Sequence, residues 1–444
     1  MRALRALAER TPATRERYVD LLRAVAIVAV VLGHWLVSVV GYDEHGRVVG
    51  RSALPYLPWA YPITWIVQVM PIFFLVGGYA NAASLTSHRH RGGTALTWLQ
   101  GRAGRLLGPT TVLMLVLAAG ALIAQAVPVD PAFTRRVVWV ASIPLWFLAA
   151  YLVVVAATPV MLPLHQRYGW RVLAVLVLLV ACGDVARLTG HEALGLGNFV
   201  FGWLAIHQVG FAWREGQLRL RPAMGAALLF GGLAALVGLT VAGPYPVSMI
   251  DVPGQRLLNA SPPTLALLVT FVVQLGLVVL LHGPAQRWLR RPTPWRLVVG
   301  LNAVVLTVFL WHMMAVVLLV GLLWALGWLP TPAVASASWW LWRLPWLLLL
   351  TIVLAGLVAV FGRFELRPRT AGDAHRLSRA GSGAPGVLLT VLGYAAAVTG
   401  LLANNLAPNS RAYLFGMPVA GLVLYLTGAG VLRALRGLPA RGRE

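Results

Sequence analysis

The feature that most constrains this chain is a recurrence of long apolar runs with almost no charge inside them. Twelve can be marked, over residues 19–41, 61–83, 106–127, 137–161, 170–188, 195–213, 223–242, 263–282, 297–326, 339–361, 387–405 and 412–432. A run of roughly 20 apolar residues spans the hydrocarbon core as an α-helix, which satisfies its own backbone polar groups where no water can. Of the 444 residues, 59% are hydrophobic and only 11% charged. Soluble domains carry about 25% charged residues, so most of this chain belongs in lipid. The short alternating segments of a transmembrane barrel are not found. The pattern predicts an all-α integral membrane protein of about twelve transmembrane helices. The ninth run is longer than a span needs, which predicts tilt, a break or an extension past the bilayer.

The formal net charge is +23, and all 36 basic residues are arginine. In a soluble protein such an excess would suggest nucleic acid. Here most arginines sit in short segments between runs, where they encode topology instead, and nucleic acid is not expected as a partner. With the N-terminus placed in the cytoplasm, the inner segments carry 27 arginines and the outer ones 8, with Arg23 inside the first run. This bias predicts cytoplasmic N- and C-termini. The expected organisation is a cytoplasmic tail at 1–18, a ten-helix membrane domain at 19–361, a cytoplasmic loop at 362–386, two further helices at 387–432 and a cytoplasmic tail at 433–444. The N-terminal tail lacks the short apolar core and small-residue cleavage site of a signal peptide, so the first run reads as a retained helix. The uncharged loop at 327–338, flanked by Trp324, Trp328, Trp339, Trp340 and Trp342, is expected at the outer interface. The one cysteine, Cys182, can form neither an intrachain disulfide nor a cysteine zinc site, and no metal is predicted.

An ionisable group within a span is costly and is therefore a functional candidate. The first run contains RYVDLLRAVAIVAVVLGHWL, with Arg23 and His34 eleven residues apart. Eleven steps of about 100° end about 20° from three whole turns, so the two side chains share a face. Their rise is roughly 16 Å, which puts His34 near mid-membrane when Arg23 lies at the inner surface. Asp20, three residues before Arg23, can pair with it. A cation at the surface and an imidazole deeper on the same stripe suit a long ligand with an anionic end and a reactive tip. Taken singly, each residue admits a plainer role: Arg23 as a topogenic charge, His34 as a hydrogen-bonded packing residue.

Other candidates are scattered along the chain. Arg102 and Arg105, in GRAGRLLGPT before the third run, fall together on a helix and suit a phosphate or pyrophosphate. Positive-inside anchoring is the alternative for that pair. The second run ends in MPIFFLVGGYANAAS, where Gly77 and Gly78 permit close backbone approach and Asn81 places a polar group near the inner end. Ordinary small-residue packing is the alternative there. In the ninth run His312 lies roughly 20 Å from the start and is read as deep, facing a cavity or packed. His207 with Gln208 forms a further candidate. Asp184 is expected to be neutralised by Arg187 three residues on, in a structural role.

Taken in order, these segments resemble the acyltransferase 3 family of membrane-bound O-acyltransferases. The resemblance rests on VDLLRAVAIVAVVLGH at 19–34, PIFFLVGGY at 71–79, GRAGRLLGP at 101–109, WFLAAY at 146–151 and FLWH at 309–312. It extends to about residue 361, so the last two helices read as an addition to a ten-helix core. In one place the chain departs from the family pattern: Gly77 stands where serine is common, and Tyr79 follows Gly78. The resemblance implies transfer of an acyl group, often acetyl, from acyl-CoA to a hydroxyl of a glycan, glycolipid or small natural product. It implies that Arg23, Arg102 and Arg105 hold the anionic donor, that His34 is the catalytic histidine and His312 a site partner, with Asp20, Gly77, Gly78, Tyr79, Asn81 and Trp146 in support. The alternatives are a transporter or flippase for a lipid-linked or anionic substrate, and a non-acyl transferase on the same scaffold. No aspartate-rich motif for a magnesium diphosphate is found, which argues against a prenyl donor.

Overall fold

A computed structural model describes residues 15–127, 130–366, 384–408, 413 and 416–437. The principal elements are, in chain order, α1 (Arg17–Val37), β1 (Ser38–Tyr42), β2 (Val48–Ser52), α2 (Met70–His90), α3 (Ala95–Ala124), α4 (Pro131–Ser142), α5 (Leu145–Tyr168), α6 (Trp170–Leu188) and α7 (Asn198–Arg214). They continue with α8 (Pro222–Val237), α9 (Leu265–Leu289), α10 (Pro292–Ala303), α11 (Val305–Ala325), α12 (Ala337–Phe361), α13 (Ala384–Leu406) and α14 (Val419–Gly437). The 1–18 and 433–444 tails and the 362–386 loop lie mostly outside the described residues.

Among the described residues, ten helices are long and apolar enough to cross a membrane, and the apolar stretch Val419–Leu435 of α14 is shorter. The ten match ten of the twelve expected runs. The fifth run is α6, helical throughout its 19 residues but interrupted by Arg171, Asp184 and Arg187. The twelfth falls in α14. The protein is an almost wholly helical membrane protein.

Four boundaries differ from expectation, each for a local reason. The ninth run is broken at Val304 into α10 and α11. The break frees the first amides of α11, and the Glu365 carboxylate accepts from the Thr307 amide at 2.8 Å and the Leu306 amide at 3.1 Å. The third helix starts at Ala95, well before 106, because Thr94 and Thr97 form a reciprocal capping box. Arg102 and Arg105 are therefore inside α3 rather than before it. The fourth run opens with the separate helix α4, and Pro144 precedes α5, where its missing N–H cannot continue a helical ladder. Finally, the loop after α1 is an antiparallel hairpin with Ser38 opposite Ser52 and Tyr42 opposite Val48. Asp43 closes its turn, accepting from the amides of His45 and Arg47 at 2.9 Å each. Those bonds, that of Arg47 foremost, hold the Asp43 carboxyl below the usual range.

The chain forms two compact units. The first comprises Met1–Ala83, Ala157–Ala303 and Pro330–Leu347. In it α1 packs on α9 and α10, α7 on α6 and α9, and α8 along α9. Asp184 of α6 is a hub: it accepts from Asn198 Nδ2 at 3.0 Å, the Tyr245 hydroxyl at 2.9 Å and the Leu265 amide at 2.8 Å. The last contact caps the start of α9, where a carboxylate meets the positive end of the helix dipole. Arg187 instead donates to the carbonyls of Leu258 and Pro262, each at 3.4 Å. Arg187 still acts electrostatically on the Asp184 carboxylate, as expected, while its hydrogen bonds go to these carbonyls.

The second unit comprises Ser84–Ala156, Val304–Leu329 and Leu348–Glu444. Here α13 and α14 pack along each other. Added Cβ atoms on Gly400 or Gly428 would meet the partner helix's backbone at Tyr425 or Ala397, so close approach requires glycine there. The pair is tied to α3 by Gln100 Nε2 donating to Thr390 Oγ1 at 2.8 Å and by the Thr111 and Tyr425 hydroxyls at 2.9 Å.

Candidate functional site

Helix α1 starts at Glu16, whose side chain accepts from the Tyr18 amide. Asp20 lies in the first turn, where the dipole favours an anion. It accepts from Arg15 through both oxygens, at 2.6 and 2.9 Å. Arg23 pairs with the same carboxylate at 3.5 Å and keeps 28% of its side chain exposed. Arg17 Nη1 donates to the Leu289 carbonyl at 2.9 Å and its guanidinium lies 4.9 Å from the Trp295 ring centre. Asn302 Nδ2 donates to the Asp20 carbonyl at 2.9 Å. These contacts anchor the arginine-bearing end of α1 on α9 and α10.

The helix runs without interruption from Arg23 to His34, so the two side chains share a face about 16 Å apart along the axis. His34 is half-buried in the last turn. Its imidazole lies within hydrogen-bonding reach of the Val30 carbonyl one turn earlier. Its own carbonyl accepts from the Ser38 hydroxyl at 2.6 Å and from the Ser38 amide.

The glycines of α2 settle a backbone contact. A Cβ on Gly78 would collide with the His207 carbonyl of α7, and one on Gly210 with the Leu75 carbonyl of α2. The two helices touch there because neither has a side chain. Gly77, in the place of the family serine, is buried. Asn81 sits in the middle of α2 rather than near its end, because the helix continues to His90. It is fully buried and its Nδ2 lies 3.2 Å from His207 Nε2. The contact joins the two side chains as one donor and one acceptor. Tyr79 meets the Trp213 ring edge-on at 5.5 Å, and the Arg214 guanidinium stands 6.0 Å from the Tyr79 ring centre.

The remaining candidates belong to the second unit. Arg102 and Arg105 occur on one helix, three residues apart. The Arg102 guanidinium lies 5.6 Å from the Trp98 ring centre, one turn back, and Arg105 is exposed. His312 is fully buried in α11, and its Nδ1 lies 2.6 Å from the Phe309 carbonyl. A carbonyl only accepts, so Nδ1 carries a proton. Because the ninth run breaks at Val304, His312 is about 10 Å into its helix, not the roughly 20 Å counted from residue 297. Trp146 is half-buried at the start of α5. Its neighbour Phe147 meets Phe309 at 5.3 Å and Tyr151 at 5.8 Å, so Phe147 lines the His312 region.

Arg23 and His34 thus share one face of one helix, and Gly78, Tyr79 and Asn81 lie along α2 against α7, all in the first unit. Arg102, Arg105, Trp146 and His312 belong to the second. A family model for an acyltransferase domain, that of the acyltransferase 3 family, matches residues 16–362, most of the chain. The chain belongs to the acyltransferase 3 family. It is a membrane acyltransferase, and α13 and α14 lie beyond the matched residues. Comparison with curated proteins and with solved structures gave no match.

Two buried or half-buried charges that hold helix ends, Glu365 and Arg343, are not singled out by the sequence. Glu365 caps the start of α11, the helix of His312, and its Oε2 also accepts from the Thr307 hydroxyl at 2.7 Å. Arg343 was counted only among the arginines of the arginine-poor side. It is buried, and its partners are the backbone carbonyls of Trp35 and Leu36 in α1 and of Ser38 just past it. Neither contact has a short sequence motif, since each joins residues far apart in the chain.

Proposed function

We propose that this acyltransferase moves an acyl group, acetyl in the simplest case, from cytoplasmic acyl-CoA to a hydroxyl of a glycan, glycolipid or small natural product. The observation that carries this reading is Arg23 and His34 on one face of an unbroken α1 in a chain of the acyltransferase 3 family. His34 is assigned as general base. Its neutral imidazole takes the acceptor hydroxyl proton while the oxygen attacks the thioester carbonyl carbon. The tetrahedral intermediate then expels the thiolate, which takes the proton back from the imidazolium. Base catalysis of this kind contributes about 10²–10⁴-fold. His312 is assigned as a site partner. Arg23, Arg102 and Arg105 are each assigned to the anionic part of the donor, because guanidinium groups bind phosphate in a bidentate fork. An extended pantetheine is long enough for the roughly 16 Å between Arg23 and His34.

In this reading both termini and the arginine-rich segments face the cytoplasm, and the protein resides in the cell membrane. The test is transfer from radiolabelled acetyl-CoA by the purified protein in detergent micelles, with candidate hydroxyl acceptors. An enzyme forms product there, whereas a transporter acts only across sealed vesicles. His34→Ala is expected to abolish product while the protein stays folded. Full turnover by that variant would remove His34 from the reaction. Arg102→Gln combined with Arg105→Gln is expected to weaken acetyl-CoA binding by an order of magnitude or more, read by calorimetric titration. An unchanged dissociation constant would return the pair to a topological role.

A further inference from the structure

We infer that Arg343 is a positioning residue for His34, clamping the last turn of α1 from α12 so that the imidazole is presented at one depth and angle. The inference rests on His34 as the base. The last carbonyls of a helix have no partner within it. Inside a membrane protein they cannot all turn to water, so something must supply donors. Here each has one. The His34 carbonyl accepts from Ser38, and the Val37 carbonyl from the Ala53 amide at 2.7 Å. Those of Trp35 and Leu36, together with that of Ser38 just past the helix, converge on α12. Arg343 Nη1 lies 2.9 Å from the Ser38 carbonyl and 3.5 Å from those of Trp35 and Leu36. Trp346 Nε1 donates to the Trp35 carbonyl at 3.0 Å.

The cation is well chosen for this place. Arg343 is only 8% exposed, and among the described residues no carboxylate acts on it. What offsets its desolvation is the negative end of the α1 dipole together with the two indoles, whose centres lie 4.4 Å (Trp339) and 5.8 Å (Trp346) from the guanidinium carbon. A lysine keeps the charge and three donors, but it has no planar face to lie against the two indoles while its nitrogen reaches these carbonyls. The residue after His34 carries the carbonyl that both Arg343 and Trp346 hold. A shift of that carbonyl moves the backbone on which the imidazole stands, and a misplacement of about 1 Å can cost about 10²-fold in rate.

The deciding measurement is NMR of the full-length protein in detergent micelles with ring-labelled histidine, the His34 signal assigned by His34→Gln. Arg343→Lys and Trp346→Phe are expected to move or broaden the His34 signal while the other histidine signals stay in place. Thiol release from acetyl-CoA should show kcat lowered about tenfold with KM for acetyl-CoA unchanged. If Arg343→Lys does not fold, Trp346→Phe decides, since it removes one hydrogen bond and keeps a large ring. An unmoved His34 signal in the folded variants overturns the clamp, as does a raised KM with kcat unchanged. Full turnover by His34→Ala would defeat the catalytic reading alone, because the His34 signal reports the clamp independently of turnover.

Discussion

At one end of α1, Arg15 and Arg23 share the Asp20 carboxylate. At the other, Arg343 spends its charge on backbone carbonyls between two tryptophans. The first arrangement is ionic, two partly exposed arginines on one buried carboxylate, so solvent screens the arginines and one can stand in for the other. The second is buried, and its planar cation both donates to carbonyls at the helix end and lies against two indole rings. The comparison teaches that arginines of the two sides of the chain do different work. On the arginine-rich side Arg15 and Arg23 pair with a carboxylate and keep 50% and 28% of their side chains exposed. On the arginine-poor side the described ones are largely committed: Arg135, Arg187, Arg256 and Arg343 donate to carbonyls, and Arg47 pairs with Asp43.

Substitutions along α1 would break or sharpen that contrast. The largest effect is expected for His34→Ala, which should lower kcat by about 10²–10⁴-fold with an unchanged melting profile. Initial-rate kinetics with labelled acetyl-CoA would read it. Next is Arg343→Gln, expected to destabilise the protein by about 3 kcal/mol, since carbonyls lose charge-assisted donors in a buried place. Thermal unfolding in detergent measures this, and a melting temperature equal to the parent's would erase the distinction between the two ends. Arg23→Gln should cost about tenfold in acetyl-CoA affinity and little stability, so calorimetry and melting are expected to separate. The smallest effect is assigned to Arg15→Ala, about 1 kcal/mol, because Arg15 is half exposed and Arg23 keeps the buried Asp20 carboxylate paired.

The helices, and the shared face of Arg23 and His34, could be read before any coordinates. Apolar length and helical period decide both, and they are properties of adjacent residues. The family could also be read, since its segments are local and ordered. Boundaries were harder where a cap overrides composition: Thr94 starts α3 early, and Glu365 lets α11 begin anew after Val304. Asp184 shows the limit of spacing arguments. Arg187 stands three residues away on the same helix, yet the carboxylate is held by Asn198, Tyr245 and the Leu265 amide.

By itself the sequence determined that the chain crosses a membrane many times, which runs become helices, and that a cation and an imidazole line one stripe of α1. These follow from transfer free energy and from the 3.6-residue period, which act on neighbouring residues. Only the tertiary structure decided what holds that stripe in place: the Asn302 contact at one end and the Arg343 and Trp346 contacts at the other. Their acceptors are mostly backbone carbonyls, identical at every position in the chain, so the fold alone selects which of them receive a donor.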